Sequence, residues 1–161
     1  MTEEKKHLAI LGSTGSIGKQ TLEVVEAHSD KFEIELLTAN NNDTLLIEQA
    51  TRFKPNIVVI ANEEKYQTVF DALDPMGIKV YSGIDAISSC VQMEVIDIVL
   101  TALVGYAGLK PTIKAIEAGK SIALANKETL VVAGELITNL VRINQLRQSA
   151  QLQFLEQEQV P

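Results

Sequence analysis

Short runs of apolar, mostly β-branched residues alternate along the chain with longer segments whose apolar positions recur at helical spacing. His7–Leu11, Ile34–Thr38, Ile57–Ile60, Val80–Tyr81, Ile96–Leu100 and Ile122–Leu124 predict strands. Several are almost continuously apolar, as strands covered on both faces are. Between them the spacing predicts helices over 16–27, 43–53, 63–74, 84–91 and 108–118. Asp43 and Asn62 are placed as N-caps, and Gly77 and Gly119 are placed to end or follow helices. Strict strand–helix alternation predicts an α/β fold, a doubly wound parallel sheet joined by right-handed crossovers over residues 1–126.

After Asn126 the pattern changes. Residues 128–141 have a usable apolar stripe through Leu130, Val131, Leu136 and Leu140, so residues 127–142 form a helical unit of their own. From Gln145 the chain is glutamine-rich, and no glycine or proline interrupts it before Pro161. The spacing predicts a helix running on over about 128–158, longer than globular helices usually are. Such a helix calls for fraying or for packing against a partner over the tail, 143–161.

The turn after the first strand is the first chemical signal. Gly12, Gly15 and Gly18 follow Leu11 directly and open a predicted helix, with Ser13, Thr14, Ser16 and Ile17 between them. In a strand–turn–helix unit of this kind one glycine makes a sharp turn off the strand. A second lets a phosphate approach the backbone, and a third lets the helix pack closely. The amides from Thr14 to Ile17 stand at the positive end of the helix, where a pyrophosphate supplies acceptors the helix lacks. The hydroxyls of Ser13, Thr14 and Ser16 add candidate donors. The arrangement resembles a Rossmann-like dinucleotide-binding unit.

The end of the second strand speaks to which dinucleotide. NAD sites usually present a carboxylate there, whereas this chain reads Asn40, Asn41, Asn42 before Asp43. Three amides can donate to a 2′-phosphate without the repulsion of a carboxylate, which favours NADP. A plain turn leading into a helix N-cap is the alternative. No Arg or Lys stands beside these amides in sequence.

Composition narrows the class. Of 161 residues 46% are hydrophobic and 22% charged, ordinary for a packed globular domain. No apolar run approaches the roughly 20 residues of a membrane span, so a cytoplasmic protein without membrane contact is expected. A net charge of −7 disfavours nucleic acid as a partner. Cys90, the single cysteine, reads as a small core residue, and His7 and His28 read as structural or exposed.

Three separated phrases, L-G-S-T-G-S-I-G at 11–18, A-L-V-G-Y-A-G-L at 102–109 and A-L-A-N-K-E-T-L-V at 123–131, joined by G-K-S-I at 119–122, resemble 1-deoxy-D-xylulose 5-phosphate reductoisomerases over residues 6–141. The resemblance implies an oxidoreductase of the non-mevalonate route to isoprenoids. Such enzymes convert their sugar phosphate to 2-C-methyl-D-erythritol 4-phosphate with NADPH and a divalent metal, Mg or Mn. It implies cofactor contacts at Gly12, Thr14, Gly15, Ser16, Ile17 and Gly18, adenosine-phosphate contacts at Asn40, Asn41 and Asn42, cofactor-side contacts at Asn126 and Glu128, and a substrate contact at Lys127. It also implies a homodimer for full-length members. Asn41 stands where the family often has lysine.

The family's metal-binding phrase P-V-D-S-E-H is absent, and the tail offers no cluster with ligand spacing. The expectation is therefore an NADPH-binding domain with no metal site and no complete catalytic set of its own, inactive as this fragment. Two alternatives stand beside it. One is another NAD(P) oxidoreductase, and the other is a non-catalytic assembly module acting through the long C-terminal helix.

Overall fold

The computed structural model describes residues 4–103, 105–124 and 152–154. Strands β1 (Lys6–Leu11), β2 (Phe32–Ala39), β3 (Ile57–Ile60), β4 (Lys79–Ser82), β5 (Ile98–Thr101), β6 (Ser121–Leu124) and β7 (Leu152–Phe154) form one sheet in the order β4-β3-β2-β1-β5-β6-β7. Every pairing is parallel. Helices α1 (Ser16–Ala27), α2 (Asp43–Phe53), α3 (Tyr66–Leu73), α4 (Ile84–Cys90) and α5 (Leu109–Glu117) connect successive strands from β1 to β6. This is the Rossmann-like doubly wound architecture that the alternation predicts.

The apolar runs bury both faces of the sheet. Leu8, Ile10, Leu37, Val58 and Ile60 join Leu22, Val25, Leu46 and Val69 in one cluster, with α1, α2 and α3. Ala9, Leu11, Leu36, Val59 and Val99 join Ile87, Cys90, Ala115 and Ile116 in the other, with α4 and α5. Alternate residues of β1 thus serve opposite cores, the period-two consequence of strand geometry. Cys90 takes the core position expected of it. Burial pushes its thiol above the ordinary thiol range.

Helix α1 and helix α2 occupy the predicted 16–27 and 43–53. Three expectations change. Asp43 is the first residue of α2 rather than its cap: the cap is Asn42, whose side-chain oxygen accepts from the Leu45 amide at 3.1 Å. The predicted 63–74 helix opens as a 3₁₀ turn, Glu63–Lys65, under Asn62, which does cap it by accepting from the Glu64 amide at 3.0 Å.

The long C-terminal helix over 128–158 is also revised. Leu152–Phe154 is a strand, with Leu152 opposite Ile122 and Phe154 opposite Leu124. The backbone groups along the free side of β6 offer a ladder of partners, and that pairing overrides the helical preference of a glutamine-rich segment. The rest of that predicted helix lies outside the described residues.

Candidate functional site at the carboxyl edge

The chain builds β1 through β4 outward in one direction, then returns across β1 to start β5 on its other side. Ligands of open α/β sheets bind at such a reversal, beyond the carboxyl ends of the strands. Gly12 lies in that crevice. Its φ of +86° suits glycine, and a Cβ there would stand 3.0 Å from the Ala102 carbonyl oxygen, just past β5. Both the turn off β1 and the nearness of β5 therefore require glycine at position 12.

The other two glycines differ from it and from each other. A Cβ on Gly18 would lie 2.3 Å from the Gly12 carbonyl oxygen and 2.5 Å from the Ser13 Cα, so α1 leans directly on the turn that precedes it. Gly15 has ordinary backbone angles as the N-cap of α1, and a Cβ there would meet only the Gly12 carbonyl oxygen at 3.6 Å. Among the described residues nothing else crowds Gly15, and Gly15 and Ser16 are exposed while Thr14 and Ile17 are half-buried.

Among the described residues no side chain caps α1, and its first turn has no acidic residue. The first intrahelical acceptor is used by Lys19, whose amide donates to the Gly15 carbonyl at 2.9 Å. The amides of Ser16, Ile17 and Gly18 lie ahead of it, where a helix has no internal acceptors. The donor set is that of an anion site: backbone N–H groups, the positive end of a 12-residue helix and an open approach.

Ser13 corrects the sequence reading. It is fully buried, and its hydroxyl donates to Gln49 Oε1 at 2.7 Å with the Thr38 carbonyl 3.2 Å away, so it serves the fold and not a ligand. Gln49 of α2 returns a bond from Nε2 to the Ser13 carbonyl at 2.9 Å. Thr38 of β2 accepts from the Gly12 amide through Oγ1 at 3.0 Å and from the Ser13 amide through its carbonyl at 2.9 Å. Thr38 and Gln49 are bracing residues the sequence reading missed. A polar residue at an otherwise buried helix position, as Gln49 is, was the available signal.

Asn40, Asn41 and Asn42 sit together and exposed beyond β2. The Asn41 side-chain oxygen accepts from Asn62 Nδ2 at 2.9 Å, and the Asn42 oxygen is the α2 cap. With both oxygens engaged, what these two side chains offer a ligand is their N–H groups.

Across the crevice, Thr101 at the end of β5 is held by Thr112 of α5, their hydroxyls 3.2 Å apart, and Thr112 also donates to the Gly108 carbonyl at 2.5 Å. Asn126, Lys127 and Glu128 lie outside the described residues.

At the opposite edge of the sheet His7, Glu33 and Glu35 bring potential metal-ligand atoms within 4.8 Å of one another. Glu35 is buried, however, and its carboxylate already takes the His7 ring at 2.6 Å on one oxygen and the Asn56 side-chain amide on the other. The cluster ties β1, β2 and the turn before β3 together, which bears out the structural reading of His7. His28 is exposed, at the end of α1.

A family model for 1-deoxy-D-xylulose 5-phosphate reductoisomerase matches residues 8–134. The chain belongs to that family. It is 63% identical over 136 residues to the 1-deoxy-D-xylulose 5-phosphate reductoisomerase of Phocaeicola vulgatus, covering 84% of this chain and 36% of that protein. The Porphyromonas gingivalis enzyme is 60% identical over 142 residues, covering 88% of this chain and 37% of the relative. The chain thus spans a little over a third of the length of these relatives.

Among solved structures, the Zymomonas mobilis reductoisomerase in complex with NADPH superposes with a TM-score of 0.89 at 36% identity, covering 96% of this chain and 40% of that one. A reductoisomerase in complex with NADPH, fosmidomycin and magnesium gives 0.85 at 33% identity, covering 92% of this chain and 36% of that one. A biliverdin reductase at 16% identity and a TM-score of 0.62 shares the fold.

Proposed function

We propose that this chain is the NADPH-binding portion of a 1-deoxy-D-xylulose 5-phosphate reductoisomerase. The observation that carries the reading is the uncapped, open first turn of α1 at the sheet's reversal point. The amides from Thr14 to Ile17 would hold the pyrophosphate. Gly12 and Gly18 keep the turn close to β5 and to α1, and Asn40, Asn41 and Asn42 would receive the adenosine 2′-phosphate. When bound, NADPH supplies a hydride to a carbonyl carbon. The described residues that would meet its reacting half are those just past β5, with Ala107 exposed and Gly108 held by Thr112.

The same reading gives Asn126 and Glu128 to the cofactor, gives Lys127 to the sugar-phosphate substrate, and carries the family's reductive isomerisation as the activity of the whole enzyme. A divalent ion does not fit the described residues: in the one grouping close enough, His7, Glu33 and Glu35, the buried Glu35 is already taken by His7 and Asn56, and the grouping sits at the opposite edge. No chemical step is therefore assigned to a metal in this chain. A cytoplasmic location and pairing of two copies are part of the proposal. Among the described residues no helix is long and apolar enough to cross a membrane. Leu152–Phe154 lies in the sheet, which takes that stretch out of the long helix on which the assembly-module alternative rests.

Titration calorimetry with NADPH and NADH tests the proposal, with Gly15→Asp as control. Saturable NADPH binding that the carboxylate abolishes is expected. Absence of binding by either nucleotide at millimolar concentration, or unchanged affinity in Gly15→Asp, overturns it.

A further inference from the structure

The asparagine run carries no cation of its own, yet a 2′-phosphate is a dianion in an exposed site. The fold brings one from the next crossover. Asn62, after β3, donates its backbone amide to the Asn40 carbonyl at 2.9 Å and its side-chain amide to Asn41 Oδ1 at 2.9 Å, which binds the β3–α3 turn to the asparagine run. Lys65 ends that turn, its amide donating to the Asn62 carbonyl at 3.0 Å. Its ammonium stands 3.8 Å from Asp43 Oδ2, beside the last of the three asparagines, with 44% of the side chain exposed.

Resting on the cofactor reading above, we infer that Lys65 is the specificity-determining cation of the site, selecting the 2′-phosphorylated dinucleotide over its unphosphorylated counterpart. Asp43 is the group that would otherwise repel the phosphate. Its Oδ1 accepts from the Thr44 amide at 3.0 Å, and the Lys65 ammonium offsets its charge. At 3.8 Å the pairing with Asp43 is Coulombic and not a hydrogen bond, so the ammonium can hold that charge while giving its N–H donors to a phosphate. Of the two carboxylates in the same turn, Glu63 places Oε1 about 3.2 Å from where a Gly83 Cβ would be, beside the turn after β4, and Glu64 is exposed to solvent. Asn41 and Asn42 contribute N–H groups without charge, and Lys65 adds the charge they lack.

The test uses the full 161-residue chain, Lys65→Ala and Lys65→Arg, titrated with NADPH, NADH and 2′,5′-ADP. Lys65→Ala should weaken NADPH and 2′,5′-ADP by about tenfold, the scale of one charge-assisted hydrogen bond, and leave NADH unchanged. Lys65→Arg should keep the preference. Equal effects of Lys65→Ala on NADPH and NADH, or none on either, overturn the inference while the cofactor reading survives. If the wild-type chain binds both dinucleotides equally, the inference fails and the dinucleotide site stands. If it binds neither, both readings fail together.

Discussion

Gly18→Ala separates the glycine that packs α1 onto the turn from Gly15, the one proposed to face the pyrophosphate. The new Cβ would sit 2.3 Å from the Gly12 carbonyl oxygen and 2.5 and 2.6 Å from the Ser13 Cα and carbonyl carbon, all backbone atoms with no side-chain freedom to yield. Overpacking of this kind costs about 3 kcal/mol, offset by roughly 1 kcal/mol because alanine suits a helix interior better than glycine. A net loss of about 2 kcal/mol lowers the melting temperature by roughly 4–8 °C in a domain of this size. Because α1 must move off the turn, its first-turn amides move with it, and nucleotide affinity should fall as well. Gly15→Ala is the matched control, since its Cβ meets only one atom at ordinary contact distance, 3.6 Å. Losing glycine at this N-cap costs about 0.5–1 kcal/mol, so this variant should melt no more than about 4 °C below wild type, less than Gly18→Ala, yet weaken NADPH by narrowing the approach. Circular dichroism melts and nucleotide titrations on both variants measure this. A Gly18→Ala variant that melts like wild type would refute the division of roles.

Ser13→Ala leaves Gln49 Oε1 buried without its donor and should cost about 1–3 kcal/mol in urea unfolding. A double-mutant cycle with Gln49→Leu should give a coupling of about 1 kcal/mol, and additive losses would show that the pair does not brace the turn. Burial raises the Cys90 thiol, so the folded protein should resist a disulfide reagent that reacts at once after denaturation. The sign for stability follows: a folded pKa above the unfolded one gives a contribution that is complete below about pH 8.5 and fades as pH rises through the folded value. Cys90→Ala should remove that alkaline loss, as unfolding curves across this range would show.

The strand and helix pattern was legible because this sheet is covered on both faces, so each apolar run is a strand and each helical repeat a crossover. The helical spacing located α1 and α2 at 16–27 and 43–53, although the cap of α2 is Asn42 and not Asp43. What could not be read was anything set by distant pairing. Ser13 looked like a free hydroxyl because its partners, Thr38 and Gln49, are 25 and 36 residues away. Lys65 falls inside the predicted 63–74 helix with nothing in the spacing to place it near the asparagines, because only the bonds of Asn62 to Asn40 and Asn41 bring its turn beside them. Leu152–Phe154 read as helix because a sequence window carries no trace of the free edge of β6.

These distant bonds also explain why the binding elements would act as one unit. The glycine turn follows β1, the asparagine run β2 and the Lys65 turn β3, three adjacent strands on one side of the reversal point. Each is fastened to the next: the Gly12 and Ser13 amides to Thr38, and the Asn40 and Asn41 oxygens to Asn62. A ligand that orders one of these segments therefore meets the others already in place, and the entropy of assembling a phosphate site is spent in folding rather than in binding. The groups proposed for the pyrophosphate and the 2′-phosphate all lie on this side. If they hold the adenosine half of the cofactor, 2′,5′-ADP should retain most of the affinity of NADPH, because the nicotinamide half would rest on the β5 and β6 side, where none of these fastenings reaches.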